Sequence, residues 1–433
     1  MESRAAVDDA ALGREAWSVL DANWTGSATV PAPGLYPHQW NWDSTFVAIG
    51  LARWDTRRAG TELISLLAGQ WGTGMVPHIV FRPVHAENYF PGPSVWCSPD
   101  HPASPNAVCT SGLTQPPLHA LALWWIWRHA ADRDTAVALV RRIYPMLAAQ
   151  HDYLATSRDL GGGGLAAIVH PWESGMDDSP AWDAPLEALP SVHHAYRRRE
   201  EPSDRHPDSR HDRYMALVLG YRDSGYDPVY LRDEHPFAVE DPMFNGIWLA
   251  SCQALAELAP VAGADAGPHR EAAERIRAAL LERLWDDGVF RARDLRGERL
   301  SPVCTVGCFG PMLDQEMPAD RVAELVRVLE SARFMGAAGY PVPSCEIRAQ
   351  QFDRSCYWRG PSWVNTNWLL RRAAGVHDLA GLVRVLGSAT LRLVRQAGFR
   401  ECFDPFDGSG RGSRDFSWSA ALTLDLLADT VER

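Results

Sequence analysis

Apolar residues recur at three- and four-residue spacing in several separate stretches of the chain, with polar residues at the positions between them. This spacing puts the apolar side chains on one face of a helix and is typical of helices packed against a core. Alternation with a period of two, which would indicate strands, is scarce. The pattern predicts helices over residues 57–67, 118–130, 134–154, 247–258, 270–284, 319–329 and 379–394.

Long segments rich in Gly, Pro, Trp and Tyr separate the predicted helices. Helices joined by such loops favour a ring of helical hairpins whose loops meet at one end and form a pocket there. An open helical solenoid would instead show a repeat of fixed period, and none is visible. We expect an all-α protein in which residues 1–433 form a single domain. The loop segments are residues 31–42, 77–96, 171–185, 339–363 and 399–418.

One segment differs from its surroundings in charge. Residues 187–212 are dense in Arg, Asp, Glu, His and Pro. Such a stretch is typical of an excursion from the core, and we predict a loop or lid over residues 185–235 that covers the pocket. A solvated loop without function is the alternative that the pattern leaves open.

The formal charge of −12 argues against binding to nucleic acid or an anionic membrane surface, since both are themselves negative. Residues 1–20 lack the basic start and apolar run of a secretory signal. No apolar stretch reaches the roughly 18 residues of a membrane span. We therefore expect a cytoplasmic protein with neither nucleic acid nor membrane as partner. The sequence is compatible with a homo-oligomer and does not decide the oligomeric state.

All 42 basic residues are arginine. A chain without lysine cannot form a lysine Schiff base or supply a P-loop lysine, which excludes PLP enzymes, Schiff-base aldolases and Walker-type NTPases. The HExxH spacing is absent, and the 15 histidines form no ligand cluster along the sequence. We predict neither a cofactor nor a metal.

The chain contains 18 tryptophans, and many stand in the long loops rather than on predicted helix faces. A pyranose ring offers an apolar face that stacks on indole, while its hydroxyls call for polar side chains. Core packing explains any single tryptophan, but so many beside polar residues favour a carbohydrate pocket. The loop tryptophans are Trp40, Trp42, Trp96, Trp172, Trp182, Trp358, Trp363 and Trp418.

Glycoside hydrolysis requires two carboxyl groups, one that protonates the leaving oxygen and one that activates water or attacks carbon. Two loops offer candidates, HPWESGMDDSPAWD at 170–183 and FRECFDPFDGSGRG at 399–412. Any one such carboxylate is more often a loop cap or a member of an ion pair, so spacing alone does not choose among them. The eligible residues are Glu173, Asp177, Asp178, Glu401, Asp404 and Asp407.

Five motifs in order along the chain resemble glycoside hydrolase family 63, and within it the bacterial glucosylglycerate and mannosylglycerate hydrolases. They are HQWNWDSTF (38–46), TSGLTQPP (110–117), PWESGMDDSP (171–180), CYWRGPSWVNTNW (356–368) and the carboxy-terminal ExFDP...GxG...FSWSAA. The resemblance spans residues 36–422 and implies an (α/α)6 barrel. It also implies an inverting α-glycosidase that acts on a small α-glucoside or α-mannoside.

Carried over by motif, the general acid of the family falls on Asp177 and the general base on Glu401. Family members often have Asn after the acid, where this chain has Asp178. A second carboxylate there could raise the pKa of the acid by repulsion or accept hydrogen bonds from sugar hydroxyls. Asp178 is therefore the rival of Asp177 as the acid.

The same motifs imply further pocket residues. Trp42 and Asp43 would stack on the sugar and hold its hydroxyls, although Asp43 could instead cap a helix that starts at Ser44. Arg213 would suit the carboxylate of a glycerate aglycone through its planar guanidinium. Tyr36, Trp40 and Tyr89 would contact the aglycone as well. The remaining wall positions are Gln115, Trp172, Trp358, Arg359, Gly360, Trp363 and Trp418.

Three other functions stay open at this point. A trehalase-like (α/α)6 hydrolase would share the fold and the paired carboxylates. A sugar epimerase or isomerase would work with paired pocket histidines, for which the adjacent His193 and His194 are the candidates, although adjacent side chains in an extended loop point apart. A sugar-binding protein without catalysis gives no reason for two carboxylate-bearing loops so far apart in the chain.

Overall fold

The computed structural model describes residues 9–32, 34–189, 208–335 and 341–431. Helices dominate this part of the chain and ten two-residue strands accompany them. The helices are α1 (Asp9–Ala22), α2 (Asn41–Leu51), α3 (Thr56–Leu67), α4 (Pro93–Trp96), α5 (His119–His129), α6 (Arg133–Ser157), α7 (Asp183–Glu187), α8 (Asp208–Asp223), α9 (Pro228–Asp233), α10 (Pro242–Ala262), α11 (Gly267–Arg283), α12 (Ala319–Leu329), α13 (Val364–Val376), α14 (Ala380–Ala397) and α15 (Ser417–Val431).

Six elements form a closed inner ring. In ring order they are α2, α5, α10, the 3-10 helix Val306–Leu313, α13 and α15, which returns to α2. Every residue of α2 is buried, and α10, α13 and α15 are buried along most of their lengths. A helix that is apolar on all sides belongs inside a larger protein, and the ring is accordingly enclosed by other helices.

A second layer surrounds the ring. Helix α1 packs on α15, α3 on α2, α6 on α5 and α10, α11 on α10, and α14 on α13 and α15. The sixth outer helix, α12, packs on the strand Val289–Phe290 beside the inner 3-10 helix. Aspartates fix where several helices begin, because Asp55, Asp132 and Asp241 accept backbone N–H groups at the first turns of α3, α6 and α10. This double ring is an (α/α)6 barrel.

Short antiparallel strand pairs brace the loops between helices. They are β1 (Gln39–Trp40) with β2 (Ile79–Val80), β5 (Trp285–Asp286) with β6 (Val289–Phe290), β9 (Cys402–Phe403) with β10 (Gly410–Arg411), and the sheet β3 (Ala167–Ile168), β4 (Val239–Glu240), β7 (Arg293–Asp294), β8 (Arg299–Leu300). The first pair brings the loop before α2 beside the loop after α3. The pair β9–β10 holds the segment that carries Glu401.

The all-α prediction is confirmed, and so are the seven predicted helices, which correspond to α3, α5, α6, α10, α11, α12 and α14. The seven predicted ranges do not include α1, α2, α8, α13 and α15 or the short helices α4, α7 and α9. No described helix is long and apolar enough to cross a membrane.

The segment predicted as a loop or lid has more regular structure than expected. Residues 190–207 lie outside the described residues, but α8 and α9 occupy much of the rest of 185–235. Helix α8 buries Tyr214, Met215, Leu217 and Val218, which gives it an apolar face that the charged residues at its start conceal in the sequence. The lid itself stays a prediction, as does the description of residues 1–433 as one domain.

Candidate active site

One cavity brings together residues from the loops at one end of the barrel. Asp43 and Trp418 lie in the first turns of α2 and α15, and Gln115 precedes α5. The two predicted carboxylates, Asp177 and Glu401, both line this cavity. The full lining is Pro31, Tyr36, Trp40, Trp42, Asp43, His78, Tyr89, Gln115, Trp172, Gly175, Asp177, Tyr357, Glu401, Phe416 and Trp418.

Glu401 is held on both oxygens of its carboxyl group. Tyr36 Oη donates to Oε1 at 2.8 Å, Tyr357 Oη donates to Oε1 at 2.9 Å, and the Ser413 backbone N–H donates to Oε2 at 2.9 Å. Gly412 makes this approach feasible, because a Cβ there would lie 2.5 Å from Glu401 Oε2 and its φ is +63°. The residue is 1% exposed. Three donors fix the orientation of the carboxylate toward the cavity.

Asp177 follows a tight turn that packs against Trp42. The 3-10 helix Pro171–Ser174 ends at Gly175, whose φ is +70° and where a Cβ would lie 2.5 Å from the Trp42 ring. Tyr214 Oη donates to the Asp177 carbonyl oxygen, and Trp182 Nε1 donates to the Met176 carbonyl oxygen at 2.8 Å. The backbone on both sides of Asp177 is therefore fixed, while its side chain faces the cavity.

A third carboxyl group, Asp43, shares the cavity. Burial raises the pKa of Asp43 well above its usual value, and the charges of Glu401 and then Asp177 raise it further. An Asp43 carboxyl that keeps its proton can donate a hydrogen bond to a sugar oxygen. The alternative role, a cap for a helix starting at Ser44, is wrong, because α2 already begins at Asn41.

Aromatic rings form the cavity wall. The Trp40 and Tyr89 ring centroids are 4.9 Å apart, and those of Tyr36 and Trp40 are 5.3 Å apart, both edge to face. His78 stacks on Trp172 with centroids 5.9 Å apart. Burial lowers the pKa of His78 to about 3, so its imidazole is neutral. The surface combines apolar faces with polar rims, which suits a sugar ring.

Trp358 and Trp363 lie behind this wall rather than in it. Their rings stack at a centroid distance of 3.8 Å and an angle of 1°, and both are buried. Trp358 packs on Trp42 at 6.0 Å, and Trp363 packs on Trp418 at 5.9 Å. They support the two cavity tryptophans instead of touching the cavity. The Trp418 indole N–H has no hydrogen-bond partner in the described part of the chain, which leaves a donor at the wall.

Four more predicted residues lie outside the cavity lining. Asp178 and Arg359 take part in ion pairs beneath the loop of Asp177. Gly360 packs against the backbone of residues 353 and 354. Arg213 is half-buried on α8, one residue before Tyr214. His193 and His194 lie outside the described residues.

The other eligible carboxylates have structural partners. Glu173 receives two hydrogen bonds of 2.7 Å from Arg158 and further ones from the backbone N–H groups of Thr114 and Val169. Asp404 is held by Arg354 at 2.6 Å and Arg411 at 2.8 Å, and Asp407 is exposed and pairs with Arg354. None of these three lines the cavity.

Sequence reasoning did not select Tyr357, His78, Phe416, Gly175 or Pro31 as cavity residues. Tyr357 stood inside the quoted motif CYWRGPSW, next to Trp358 and Arg359, which were chosen in its place. A motif marks a segment but does not say which of three adjacent side chains faces the cavity. His78 directly precedes β2, and the pairing of β2 with β1 brings it beside the segment that leads into α2.

A ring of six helical hairpins with carboxylates and tryptophans in one end cavity is the architecture of an (α/α)6 glycoside hydrolase. The chain belongs to the family of mannosylglycerate hydrolase MGH1-like glycoside hydrolases, whose model matches residues 36–419. The predicted membership in glycoside hydrolase family 63 is confirmed, and the protein is an enzyme of this hydrolase family.

Two relatives and one solved structure illustrate the similarity. The mannosylglycerate hydrolase of Rubrobacter radiotolerans is 38% identical over 429 residues, covering 96% of each chain. The glucosylglycerate hydrolase of Mycolicibacterium hassiacum is 37% identical over 439 residues, covering 96% of this chain and 97% of its own. The crystal structure of GH63 mannosylglycerate hydrolase from Thermus thermophilus in complex with Tris and D-glycerate superposes with a TM-score of 0.89 at 38% identity, covering 95% of this chain and 99% of that one.

Proposed function

We propose that the protein hydrolyses an α-glycosidic bond between mannose or glucose and glycerate, with Asp177 as general acid and Glu401 as general base. The observation that carries this proposal is the position of both carboxyl groups on one aromatic cavity, with Glu401 fixed by Tyr36 and Tyr357. The names of relatives with 37% and 38% identity support the choice of glycerate as aglycone.

Glu401 and Asp177 suffice for the two proton transfers that hydrolysis requires. A water oxygen attacks the anomeric carbon as Glu401 takes one of the water protons, and the bond from that carbon to the leaving oxygen breaks. Asp177 gives its proton to the leaving oxygen, which departs as the glycerate hydroxyl. A protonated Asp43 carboxyl group would donate a hydrogen bond to a sugar hydroxyl and keep its proton. The Trp418 indole N–H is a second hydrogen-bond donor at the wall.

The direct test is incubation with mannosylglycerate and with glucosylglycerate, followed by assay of free sugar and free glycerate. We expect release from at least one of the two. The absence of release from both, with correctly folded protein, would exclude the glycerate assignment.

The proposed roles predict inversion at the anomeric carbon. Inverting enzymes separate their carboxyl groups by about 6.5 to 9.5 Å so that a water fits between base and sugar. Proton NMR of the first turnovers should therefore show the β-anomer of the sugar. Initial release of the α-anomer would instead mean a retaining mechanism, in which Glu401 is a nucleophile.

A glycerate aglycone carries a carboxylate, and we propose that Arg213 on α8, which does not itself line the cavity, is the partner of that carboxylate. The Nε atom of Arg213 is buried without a hydrogen-bond partner among the described residues. Loss of one charged hydrogen bond costs about 1.5 to 3 kcal/mol, which is roughly a 10- to 150-fold drop in kcat/KM. Arg213→Ala should show this drop on the glycosylglycerate substrate.

The matched control for Arg213→Ala is the corresponding glycosylglycerol, which has no carboxylate. Its kcat/KM should change little in the variant. An equal loss on both substrates would show that Arg213 supports the fold of α8 rather than the aglycone.

A further inference from the structure

The carboxylate next to Asp177 points away from the cavity. Asp178 is 1% exposed, and its Oδ1 lies 2.8 Å from Arg210 Nη1 on α8. Its Oδ2 accepts a hydrogen bond from Cys356 Sγ at 3.1 Å. Two adjacent aspartates therefore have opposite surroundings, one facing the cavity and the other enclosed by two separate segments of the chain.

A second aspartate of the same loop completes the arrangement. Asp183 Oδ1 lies 2.9 Å from Arg210 Nη2, and the Asp183 carboxylate receives both Nη groups of Arg359 at 2.9 and 2.6 Å. Arg359 Nη1 also donates to the Asp178 carbonyl oxygen at 3.3 Å. We call the four residues Asp178, Asp183, Arg210 and Arg359 the acid clamp. It joins the loop 177–183 to α8 and to the segment 356–359.

The segment 356–359 touches both halves of the proposed machinery. Cys356 and Arg359 bind the loop of Asp177, and Tyr357 between them donates to Glu401. The distance from acid to base therefore depends on how the loop 177–183 sits on this segment. Tyr36 and Ser413 hold the Glu401 carboxylate directly, whereas Tyr214 and Trp182 hold only the backbone around Asp177. Loosening the clamp would therefore displace the acid more than the base.

We propose that the acid clamp positions the Asp177 carboxyl group at its working distance from Glu401 and the leaving oxygen, and that Arg210 and Asp178 are positioning residues rather than substrate ligands. This inference rests on the proposed function. Arg210 is its centre, because one guanidinium bridges both aspartates of the loop. Burial raises the pKa of Asp178 and Arg210 is the main opposing influence, so loss of Arg210 leaves a buried carboxyl without its charge partner.

The test compares a substrate that needs an acid with one that does not. A glycosylglycerate has a poor leaving group and requires protonation, whereas an α-glycosyl fluoride of the same sugar has a good one. Displacement of a catalytic group by about 1 Å can cost on the order of 10²-fold. Arg210→Gln should lower kcat on the glycosylglycerate by roughly 10- to 100-fold and kcat on the fluoride by less than about threefold.

Three further variants sharpen the comparison. Arg222→Gln on the same helix is the matched control, since Arg222 pairs with its neighbour Asp223 and is about as exposed as Arg210. In this variant kcat on the glycosylglycerate and kcat on the fluoride should both stay unchanged. Arg210→Lys keeps the charge but cannot bridge two carboxylates, so it should restore part of the loss. Asp178→Asn combined with Arg210→Gln should lower kcat no further than Arg210→Gln alone.

Equal losses on the glycosylglycerate and the fluoride, together with a lower Tm, would show that the clamp only supports the fold and would overturn the inference. Full activity of Arg210→Gln on both substrates would overturn it as well. If Arg210→Gln does not fold, Asp178→Asn provides the same comparison of the two substrates. Wild-type protein that hydrolyses neither substrate would instead contradict the proposed function.

Discussion

Glu401→Gln is expected to lower kcat by about 10² to 10⁴ on every glycoside that the protein hydrolyses, whatever the leaving group. A base that activates water is needed in each turnover, and an amide cannot accept the water proton. The change also disturbs its anchors, because an amide nitrogen would face either the Ser413 N–H or the tyrosine hydroxyls that now donate to the carboxylate. The measurement is kcat on a glycosylglycerate and on the α-glycosyl fluoride of the same sugar.

Asp407→Asn is the control for Glu401→Gln. Asp407 belongs to the same loop but is exposed and pairs with Arg354 outside the cavity. Its replacement should leave both rates close to wild type. A Glu401→Gln variant that hydrolyses the fluoride at nearly the wild-type rate would show that another group activates water.

Five of the six outer helices were predictable because each has one apolar and one polar face, whereas the pattern missed α1. Helix α12, for example, buries Val322, Leu325 and Leu329 and exposes Asp320, Ala323 and Arg327. Helix α2 offers no such contrast, since all of its residues from Asn41 to Leu51 are buried. Its first residues were assigned to an aromatic loop, because periodicity cannot reveal a helix that is enclosed on every side.

The cavity itself depends on contacts between distant positions. Tyr36 and Glu401 are 365 residues apart in the chain and 2.8 Å apart in space. Spacing showed only that certain loops could carry the catalytic acid and base, and these loops include Glu173, Asp177, Asp178 and Glu401. Resemblance to a family was needed to choose among the four residues. The direction of these side chains could not be predicted from the sequence either. Nothing in the run Asp177-Asp178 indicates that one carboxylate faces the cavity and the next faces Arg210.

Asp177→Asn should lower kcat on a glycosylglycerate by about 10² to 10⁴ and be largely spared on the α-glycosyl fluoride. The glycerate oxygen leaves poorly without a proton, whereas fluoride departs without one. Asparagine has nearly the same shape, so the backbone contacts from Tyr214 and Trp182 around residue 177 should persist. The ratio of kcat on the two substrates, compared with the wild-type ratio, measures the loss of the acid separately from any loss of folded protein.

Asp43 provides the decisive comparison, because it is a further carboxyl group of the cavity and burial raises its pKa well above the usual value. If Asp43 only donates a hydrogen bond to a sugar oxygen, asparagine can do the same through its amide N–H, and Asp43→Asn should lower kcat on both substrates by similar, smaller factors. If Asp43 were the proton donor for the leaving oxygen, Asp43→Asn and not Asp177→Asn would show the selective loss on the glycosylglycerate. Asp178→Asn tests the remaining rival for the acid role. If Asp178 is the acid, its replacement should lower kcat on the glycosylglycerate relative to the fluoride by more than Asp177→Asn does. If Asp178 only positions Asp177, that relative loss should be smaller than the loss in Asp177→Asn.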